Sequence, residues 1–208
     1  AQTITDSIDR SLSRMKTDYI DLLQLHSCGV DVLEKGEAIL AVRDAQQAGK
    51  VRYIGYSGDN EAAAWAVDSG LFASLQTSFN LVEQKARYGL LQAAKAQGMG
   101  VIIKRPIANG AWGAPKSPSG YADQYWERAQ LLEQMGPIEG APANRILLAL
   151  GFTLAHNAVD TAIVGTQNPA HMRANLRWVE EDLPIDPAAV AELHRRFDEV
   201  GRDWVQLS

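Results

Sequence analysis

Residues 18–26 of this chain are Asp18-Tyr19-Ile20-Asp21-Leu22-Leu23-Gln24-Leu25-His26, and residues 51–57 are Val51-Arg52-Tyr53-Ile54-Gly55-Tyr56-Ser57. The first run is mostly apolar rather than alternating, which is typical of a strand that is covered on both faces of a parallel sheet. Residues 32–48 predict a helix that stops at Gly49, because glycine accepts the left-handed conformation of a helix C-cap. The second run predicts another strand after that helix.

The same strand-and-helix unit recurs along the chain. Further strands are predicted at 75–79, 100–104 and 160–165, and helices at 5–16, 61–67, 87–96, 145–155, 169–178 and 187–200. Five strands that alternate with helices predict a parallel sheet wrapped in helices, either open or closed into a barrel. An open dinucleotide-binding sheet is disfavoured, because its glycine-rich fingerprint would stand where this chain has His26-Ser27-Cys28-Gly29.

The composition is that of one ordinary globular domain. The chain has 208 residues, of which 46% are apolar, and its net charge of -5 gives no electrostatic reason to bind nucleic acid. The single cysteine, Cys28, excludes an internal disulfide, and no run of about 18 apolar residues is present to span a bilayer. We therefore expect one cytoplasmic domain over residues 1–208, with neither a nucleic-acid partner nor a membrane.

Residues 106–142 interrupt the regular spacing of strands and helices. They are rich in Gly, Pro, Ser and Ala, and they predict a long loop insertion with one helix near 124–134. Long loops inside a compact domain are usually functional. Four aromatic side chains of this insertion either line a substrate pocket or pack the loop onto the barrel: Trp112, Tyr121, Tyr125 and Trp126.

In an α/β barrel the working residues gather at the C-terminal ends of the strands. In this sequence those positions hold His26, Ser57-Gly58-Asp59, Asn80, Lys104-Arg105-Pro106 and Gly165-Thr166-Gln167-Asn168. His26 is the best candidate for a general acid or an electrostatic role, because imidazole both donates and accepts hydrogen bonds near neutral pH. The alternative is a structural, hydrogen-bonded histidine.

The segment from Gly165 to Pro169 precedes a predicted helix. Free backbone N–H groups and the helix dipole favour an anion such as phosphate at such a position. The alternative is an ordinary cap, with Asn168 as N-cap and Pro169 at the first helical position. The two interpretations are compatible.

We expect no metal site in this chain. His156, His171 and His194 lie in or beside predicted helices and form no metal-ligand spacing with a cysteine or a carboxylate pair. Cys28 is either a small loop residue or a nucleophile, although the sequence places no base beside it.

Five segments together resemble the aldo-keto reductases, and the resemblance covers essentially the whole chain. They are 17–26, 49–57, Gln76 with Phe79-Asn80, the run from Lys104 to Gly110, and the run from Ile163 to Pro169 with Asn175-Leu176. The resemblance implies a (β/α)8 TIM barrel that reduces the carbonyl group of a small molecule with hydride from NADPH. The cofactor would lie across the C-terminal ends of the strands, without a Rossmann domain.

The resemblance also implies roles for single residues. His26 would orient or polarise the substrate carbonyl. Ser57 and Gln76 would hydrogen-bond the nicotinamide carboxamide, with Gly58 beside them at the cofactor.

Two further segments would complete the cofactor site. Lys104-Arg105-Pro106-Ile107, with Gly110, matches the stretch under the nicotinamide and the pyrophosphate. Thr166, His171 and Asn175 match positions around the adenosine 2′-phosphate, and Gly165 and Gln167 belong to the same segment.

The chain departs from the family's pattern at several of these positions. Gly58 stands where many members have Asn, and Lys104 stands where an aromatic residue commonly stacks on the nicotinamide. Gly165 and His171 occupy positions that often hold Lys and Arg for the 2′-phosphate. Because bidentate Arg is the strong phosphate partner and His is only partly charged near neutrality, NADH is the alternative cofactor.

The family's general-acid Tyr, with its Lys and Asp, lies on strands that precede the one ending at His26, and this sequence begins one helix before that strand. We therefore expect a truncated barrel with five of eight βα units and a C-terminal helix. General acid catalysis contributes roughly 10²- to 10⁴-fold, so the chain alone is expected to be a poor reductase. The alternative is a non-catalytic nucleotide-binding or interaction protein that self-associates or binds another chain through open sheet edges.

Overall fold

The computed structural model describes residues 2–207, which form two compact units. The first unit contains the described residues up to Thr77 together with Gln92–Val101. The second contains Ser78–Leu91 and Ile102–Leu207. The single domain expected over residues 1–208 stays a prediction.

Five parallel strands are hydrogen-bonded in the order in which they occur along the chain. They are β1 (Ile20–His26), β2 (Val51–Ser57), β3 (Ser74–Ser78), β4 (Gly100–Lys104) and β5 (Thr161–Ile163). Parallel neighbours require a crossover that returns the chain to the same end of the sheet, and helices provide it here. The predicted α/β fold is confirmed: it has the pattern of a (β/α)8 barrel, of which the described residues supply five strands.

Nine α-helices accompany the strands within residues 2–207. They are α1 (Gln2–Met15), α2 (Val30–Lys35), α3 (Glu37–Gln47), α4 (Asn60–Asp68), α5 (Leu90–Ala96), α6 (Asp123–Glu133), α7 (Arg145–Leu154), α8 (Pro169–Glu181) and α9 (Pro187–Val200). The helix expected inside the loop insertion is confirmed as α6.

Two of the predicted helices are interrupted, and a glycine explains each interruption. The helix predicted over 32–48 is two helices, α2 and α3, because Gly36 between them is left-handed with φ 73°. The helix predicted over 87–96 starts with a 3₁₀ turn at Lys85–Arg87, and α5 follows Gly89, whose φ is 126°. A positive φ interrupts the helical hydrogen-bond ladder and is adopted readily only by glycine.

The register of the sheet aligns the C-terminal parts of neighbouring strands. In the first unit, His26 lies opposite Ser57, and Ser57 lies opposite Gln76. In the second unit, Lys104 lies opposite Ile163. The topology therefore brings residues that are far apart in the sequence to the same level of the sheet.

Each unit contains buried apolar side chains. In the first, Ile54 of β2 and Val42 of α3 are buried. In the second, the rings of Phe79 and Phe152 lie 5.6 Å apart, and Phe197 of α9 is also buried.

β1 is less buried than the sequence predicts. Leu25 is its one buried residue, whereas Leu22 and Leu23 are half-buried. Among the described strands β1 is at one end of the sheet order, so it has a neighbour on one side only.

Within residues 2–207, no helix combines the length and the apolar character that crossing a membrane requires. The cytoplasmic location stays a prediction.

Candidate active site

The first unit brings together three residues that the sequence predicts for the site. His26, Ser57 and Gln76 lie side by side in the register of β1, β2 and β3. Nε2 of Gln76 donates a hydrogen bond to Oγ of Ser57 across 3.3 Å. His26 is exposed, whereas Ser57 is only 2% exposed. We call these three residues the strand-end row.

Backbone hydrogen bonds hold the turns that follow the strands. The N–H of Ser27 donates to the carbonyl oxygen of Ser57 at 2.8 Å, and the N–H of Gly58 donates to that of Gln76 at 3.0 Å. Each turn is thus tied to the neighbouring strand. These two hydrogen bonds therefore fix the backbone of the strand-end row towards both neighbours of β2.

A buried pair supports the turn from β2 into α4. Oγ1 of Thr77 donates to Oδ1 of Asp59 at 2.9 Å, and both residues are buried. A buried carboxylate is costly unless it is hydrogen-bonded, so this contact favours one conformation of the turn. The sequence placed Asp59 at a strand end, but it gave no signal for Thr77, whose partner Asp59 lies in the turn after the neighbouring strand.

Cys28 is half-buried in the turn after β1. Burial raises the pKa of its thiol. A nucleophilic cysteine acts as a thiolate, which a raised pKa disfavours. The interpretation of Cys28 as a loop residue is therefore favoured.

In the second unit, Lys104 ends β4 and Arg105 follows it in the left-handed region, with φ 59°. Nδ2 of Asn80, which is fully buried, donates to the carbonyl oxygen of Arg105 at 3.0 Å. A left-handed residue other than glycine persists only where its surroundings hold it. Asn80, a predicted strand-end residue, therefore supports the backbone of residues 104–107.

The guanidinium of Arg105 is engaged within its own unit. Its Nη1 donates to Oη of Tyr125 at 2.9 Å and to the carbonyl oxygen of Leu207, and its Nη2 donates to Oη of Tyr121. Tyr125 in turn donates to the carboxylate of Glu83 at 2.7 Å, and Glu83 is 1% exposed. A contribution of Arg105 to a cofactor site stays a prediction.

The aromatic side chains of the loop insertion mainly pack. Trp112 and Tyr125 are buried, and Nε1 of Trp126 donates to the carbonyl oxygen of Ala114 at 2.9 Å. Tyr121 differs, because it is 65% exposed. The packing alternative is therefore favoured for three of the four.

A cavity of about 540 Å³ in the second unit gathers residues from the two predicted cofactor segments. Its lining includes five predicted residues, Ile107, Gly165, Thr166, His171 and Asn175.

Arg145 also lines this cavity, although the sequence did not predict it as a site residue. Its Nη1 donates to the carbonyl oxygens of Gly110 at 2.7 Å and of Trp112 at 3.0 Å. Its place at the cavity depends on how the loop insertion folds back on α7, which has no local sequence signal.

The start of α8 at this cavity is an ordinary cap, as one of the two interpretations predicts. Oδ1 of Asn168 accepts from the N–H of Ala170 at 2.9 Å, and Pro169 is the first helical residue. Oγ1 of Thr166 accepts from the N–H of Asn168 at 3.1 Å. These contacts use the N–H groups of Asn168 and Ala170, and anion binding at this position stays a prediction.

Two histidines outside the predicted site form a pair. The Nε2 atoms of His156 and His194 lie 2.9 Å apart, and Nδ1 of His156 lies 2.8 Å from the carbonyl oxygen of Phe152. Burial lowers the pKa of both imidazoles, to about 4 for His194. Over residues 2–207, no group of three or more His, Cys, Asp or Glu side chains is arranged to hold a metal ion.

Comparison with known proteins gives consistent matches. The model of the aldo/keto reductase family matches residues 1–195. L-galactose dehydrogenase of Arabidopsis thaliana is 25% identical, over 96% of this chain and 66% of that protein. Pyridoxal 4-dehydrogenase of Microbacterium luteolum is 26% identical, over 86% of this chain and 57% of that protein.

A solved structure agrees with these matches. The holo form of the aldo-keto reductase AKR11C1 from Bacillus halodurans superposes with a TM-score of 0.76 at 25% identity, covering 93% of this chain and 66% of that chain. The chain thus spans less than two thirds of the length of these three relatives.

Proposed function

The chain belongs to the aldo/keto reductase family, and from this premise we propose that it is an oxidoreductase that reduces a small aldehyde or ketone to the alcohol with hydride from NADPH. The observation that carries the proposal is the strand-end row, which unites a hydrogen-bonded pair, the buried Ser57 and the half-buried Gln76, with the exposed imidazole of His26.

The pair fits the nicotinamide carboxamide. Oγ of Ser57 accepts its hydrogen bond from Gln76, so its own proton can be donated to the carboxamide oxygen. Oε1 of Gln76 can accept from the carboxamide N–H. Because Ser57 is buried, these hydrogen bonds act in a low dielectric that strengthens them.

His26 fits a role at the substrate carbonyl. It lies opposite Ser57 in the register, next to the position proposed for the nicotinamide. A bound NADPH would supply the hydride, and water would supply the proton that converts the resulting alkoxide to the alcohol. By donating a hydrogen bond to the carbonyl oxygen, the imidazole draws electron density from the carbonyl carbon and stabilises the negative charge that develops on the oxygen.

The cavity in the second unit fits the adenosine end of the cofactor. Its wall carries the guanidinium of Arg145 and the imidazole of His171, both of which can donate hydrogen bonds to a phosphate. These groups support a phosphate ligand and hence NADPH. NADH remains the alternative cofactor, because His is a weaker phosphate partner than Arg.

NADPH oxidation in the presence of a panel of aldehydes and ketones tests the proposal. We expect carbonyl-dependent oxidation that His26→Ala slows by about tenfold or more, because it removes the group that stabilises the developing charge. Gln97→Ala, an exposed substitution outside the row, should leave the rate unchanged. An equal rate in His26→Ala would exclude the assigned role.

One observation favours the second candidate, a nucleotide-binding or interaction protein that pairs its sheet with another chain. β5 is only three residues long, and its Ile163 is 48% exposed beside an apolar groove that Met172 and Leu176 also line. Exposed strand edges invite pairing. Sedimentation that shows a dimer, dissociated by Ile163→Lys, would support this candidate, and a monomer at all concentrations would count against it.

A further inference from the structure

Tyr56 connects the end of β2 to the turn that follows His26. It is 1% exposed, and its Oη donates a hydrogen bond to the carbonyl oxygen of Cys28 at 2.6 Å. Cys28 is two residues beyond His26 in the chain. The buried side chain of Tyr56 therefore holds the backbone just after His26, the candidate catalytic histidine, by a hydrogen bond.

The turn at residues 27–28, to which Tyr56 is hydrogen-bonded, has a backbone conformation that is unfavourable without support. Ser27 is left-handed, with φ 53°, although it carries a side chain. Its N–H donates to the carbonyl oxygen of Ser57 at 2.8 Å. The turn is thus held at two successive residues by β2, at Ser27 through the backbone and at Cys28 through Tyr56. Such strained conformations persist only where the surroundings determine them.

Gly58 is the residue that makes room for the ring. A Cβ atom at this position would lie 2.6 Å from Oη and 2.7 Å from Cε1 of Tyr56, which is closer than real Cβ contacts. The position of the Tyr56 ring therefore requires a residue without a side chain at position 58. This requirement gives a physical reason for the glycine that stands beside Ser57.

We propose that Tyr56 is a positioning residue for His26, whose hydroxyl fixes the turn 27–28 and so keeps the imidazole in line with Ser57 and Gln76. The inference rests on the proposed function only for the role of His26 in turnover. The contacts that define the role of Tyr56 stand without it.

The hydroxyl is suited to a constant structural role. Burial, together with the nearby charges of Cys28 and Asp59, raises the pKa of Tyr56 to about 12. The group therefore keeps its proton, and remains a donor to the Cys28 carbonyl, throughout the neutral range.

The test compares two substitutions on the same strand. Tyr56→Phe keeps the ring and removes only the hydroxyl. Tyr53→Phe is the matched control, because Tyr53 is on β2 as well but is 54% exposed. Both variants are made in the full 208-residue chain.

The first readout follows His26 directly and requires no turnover. In chains labelled with ¹³C-histidine, the His26 signal is assigned by its loss in His26→Ala. We expect Tyr56→Phe to shift or broaden this signal and to speed hydrogen exchange at the Ser27 amide by roughly threefold to tenfold, the factor that one neutral hydrogen bond supports. Tyr53→Phe should change neither.

The second readout is kinetic. If the row acts as proposed, Tyr56→Phe should lower kcat for carbonyl reduction by roughly threefold to tenfold while KM for NADPH stays close to that of the wild type, because Ser57 and Gln76 remain in place. A role in stability alone would lower the melting temperature without this split between kcat and KM.

A double-mutant cycle tests the link with Gly58. Gly58→Ala alone should displace the ring and reproduce the His26 signal of Tyr56→Phe. In a Tyr56→Ala background, where the space is empty, Gly58→Ala should add little further change to that signal.

The possible outcomes separate the two proposals. An unchanged His26 signal and Ser27 exchange rate in Tyr56→Phe overturn the positioning role, whatever the activity. A changed signal in a chain that neither binds NADPH nor reduces any carbonyl supports the positioning role and rejects the proposed function.

Discussion

Nε2 of Gln76 donates a hydrogen bond to Oγ of Ser57, and the two residues lie opposite each other in the parallel register of β2 and β3. The contact joins two side chains that are 19 residues apart in the sequence. Because Oγ of Ser57 accepts from Gln76, its own proton is left for another acceptor, such as the carboxamide oxygen of the proposed cofactor.

Removal of Gln76 should therefore weaken cofactor binding. We expect Gln76→Ala to raise the Kd for NADPH by about tenfold, because it removes one hydrogen bond to the ligand and releases the Ser57 hydroxyl. Titration of NADPH fluorescence measures the effect, with Gln97→Ala as the control on an exposed glutamine. Equal affinity in the Gln76 and Gln97 variants would contradict the binding role.

Tyr125 should stabilise the second unit through its hydroxyl. That hydroxyl donates to the buried Glu83 carboxylate and accepts from Arg105, and burial raises its pKa, so it stays protonated. Tyr125→Phe should lower the free energy of unfolding by about 1.5–3 kcal/mol, as expected for a hydrogen bond to a charged group. Urea unfolding measures the change. Tyr121→Phe, at the exposed tyrosine bound to the same Arg105, should cost much less.

The pair of His156 and His194 should make the fold sensitive to acid. Burial, followed by the charge of Arg87, lowers the pKa of His194 to about 4, whereas an unfolded histidine titrates near about 6.5. As the pH falls from about 6.5 towards 4, the unfolded state binds the proton first, so the free energy of unfolding decreases over this range.

The expected loss is on the order of 1 kcal/mol, because His194 is partly exposed and solvent reduces the effect. Thermal melts between pH 7 and pH 4 measure it. His194→Gln should flatten the pH dependence, and a slope equal to that of the wild type would show that this pair does not cause it.

The cavity lined by His171 should set the preference between the two cofactors. His171→Arg places a permanent charge there, and we expect it to strengthen NADPH binding relative to NADH by about fivefold to tenfold. The ratio of the two Kd values is the measurement. Gln97→Arg adds the same charge on an exposed position elsewhere and should leave the ratio unchanged, so an equal effect of both variants would contradict the placement.

Much of the fold was predictable because chain-breaking residues mark its boundaries. The predicted bounds of β2, β4 and α9 coincide with the observed ones, and α9 is opened by Asp186-Pro187, as its sequence indicates. The break at Gly36 was missed, because apolar spacing continues across it and a single glycine does not reveal its φ. The exposure of β1 follows from its place at one end of the described sheet order, which no local pattern reveals.

The sequence predicted which residues of the candidate site lie at strand ends, but it did not predict the contacts that support them. Parallel topology alone places His26 and Ser57 at one edge, and the register confirms it. Thr77 and Arg145 act through contacts between segments that no local pattern reveals. One feature of the sequence could have pointed to Tyr56. It is a large aromatic residue two positions before Gly58, and this glycine stands where many family members have the larger Asn.

Transfer of deuterium from NADPH labelled at the nicotinamide C4 position tests the central claim most directly, because slow turnover accumulates product that mass spectrometry detects. We expect the alcohol formed from an aldehyde to carry the deuterium on its carbinol carbon, with about tenfold less in His26→Ala. Binding of NADPH without deuterium in any alcohol product, or equal transfer in His26→Ala, would contradict the account.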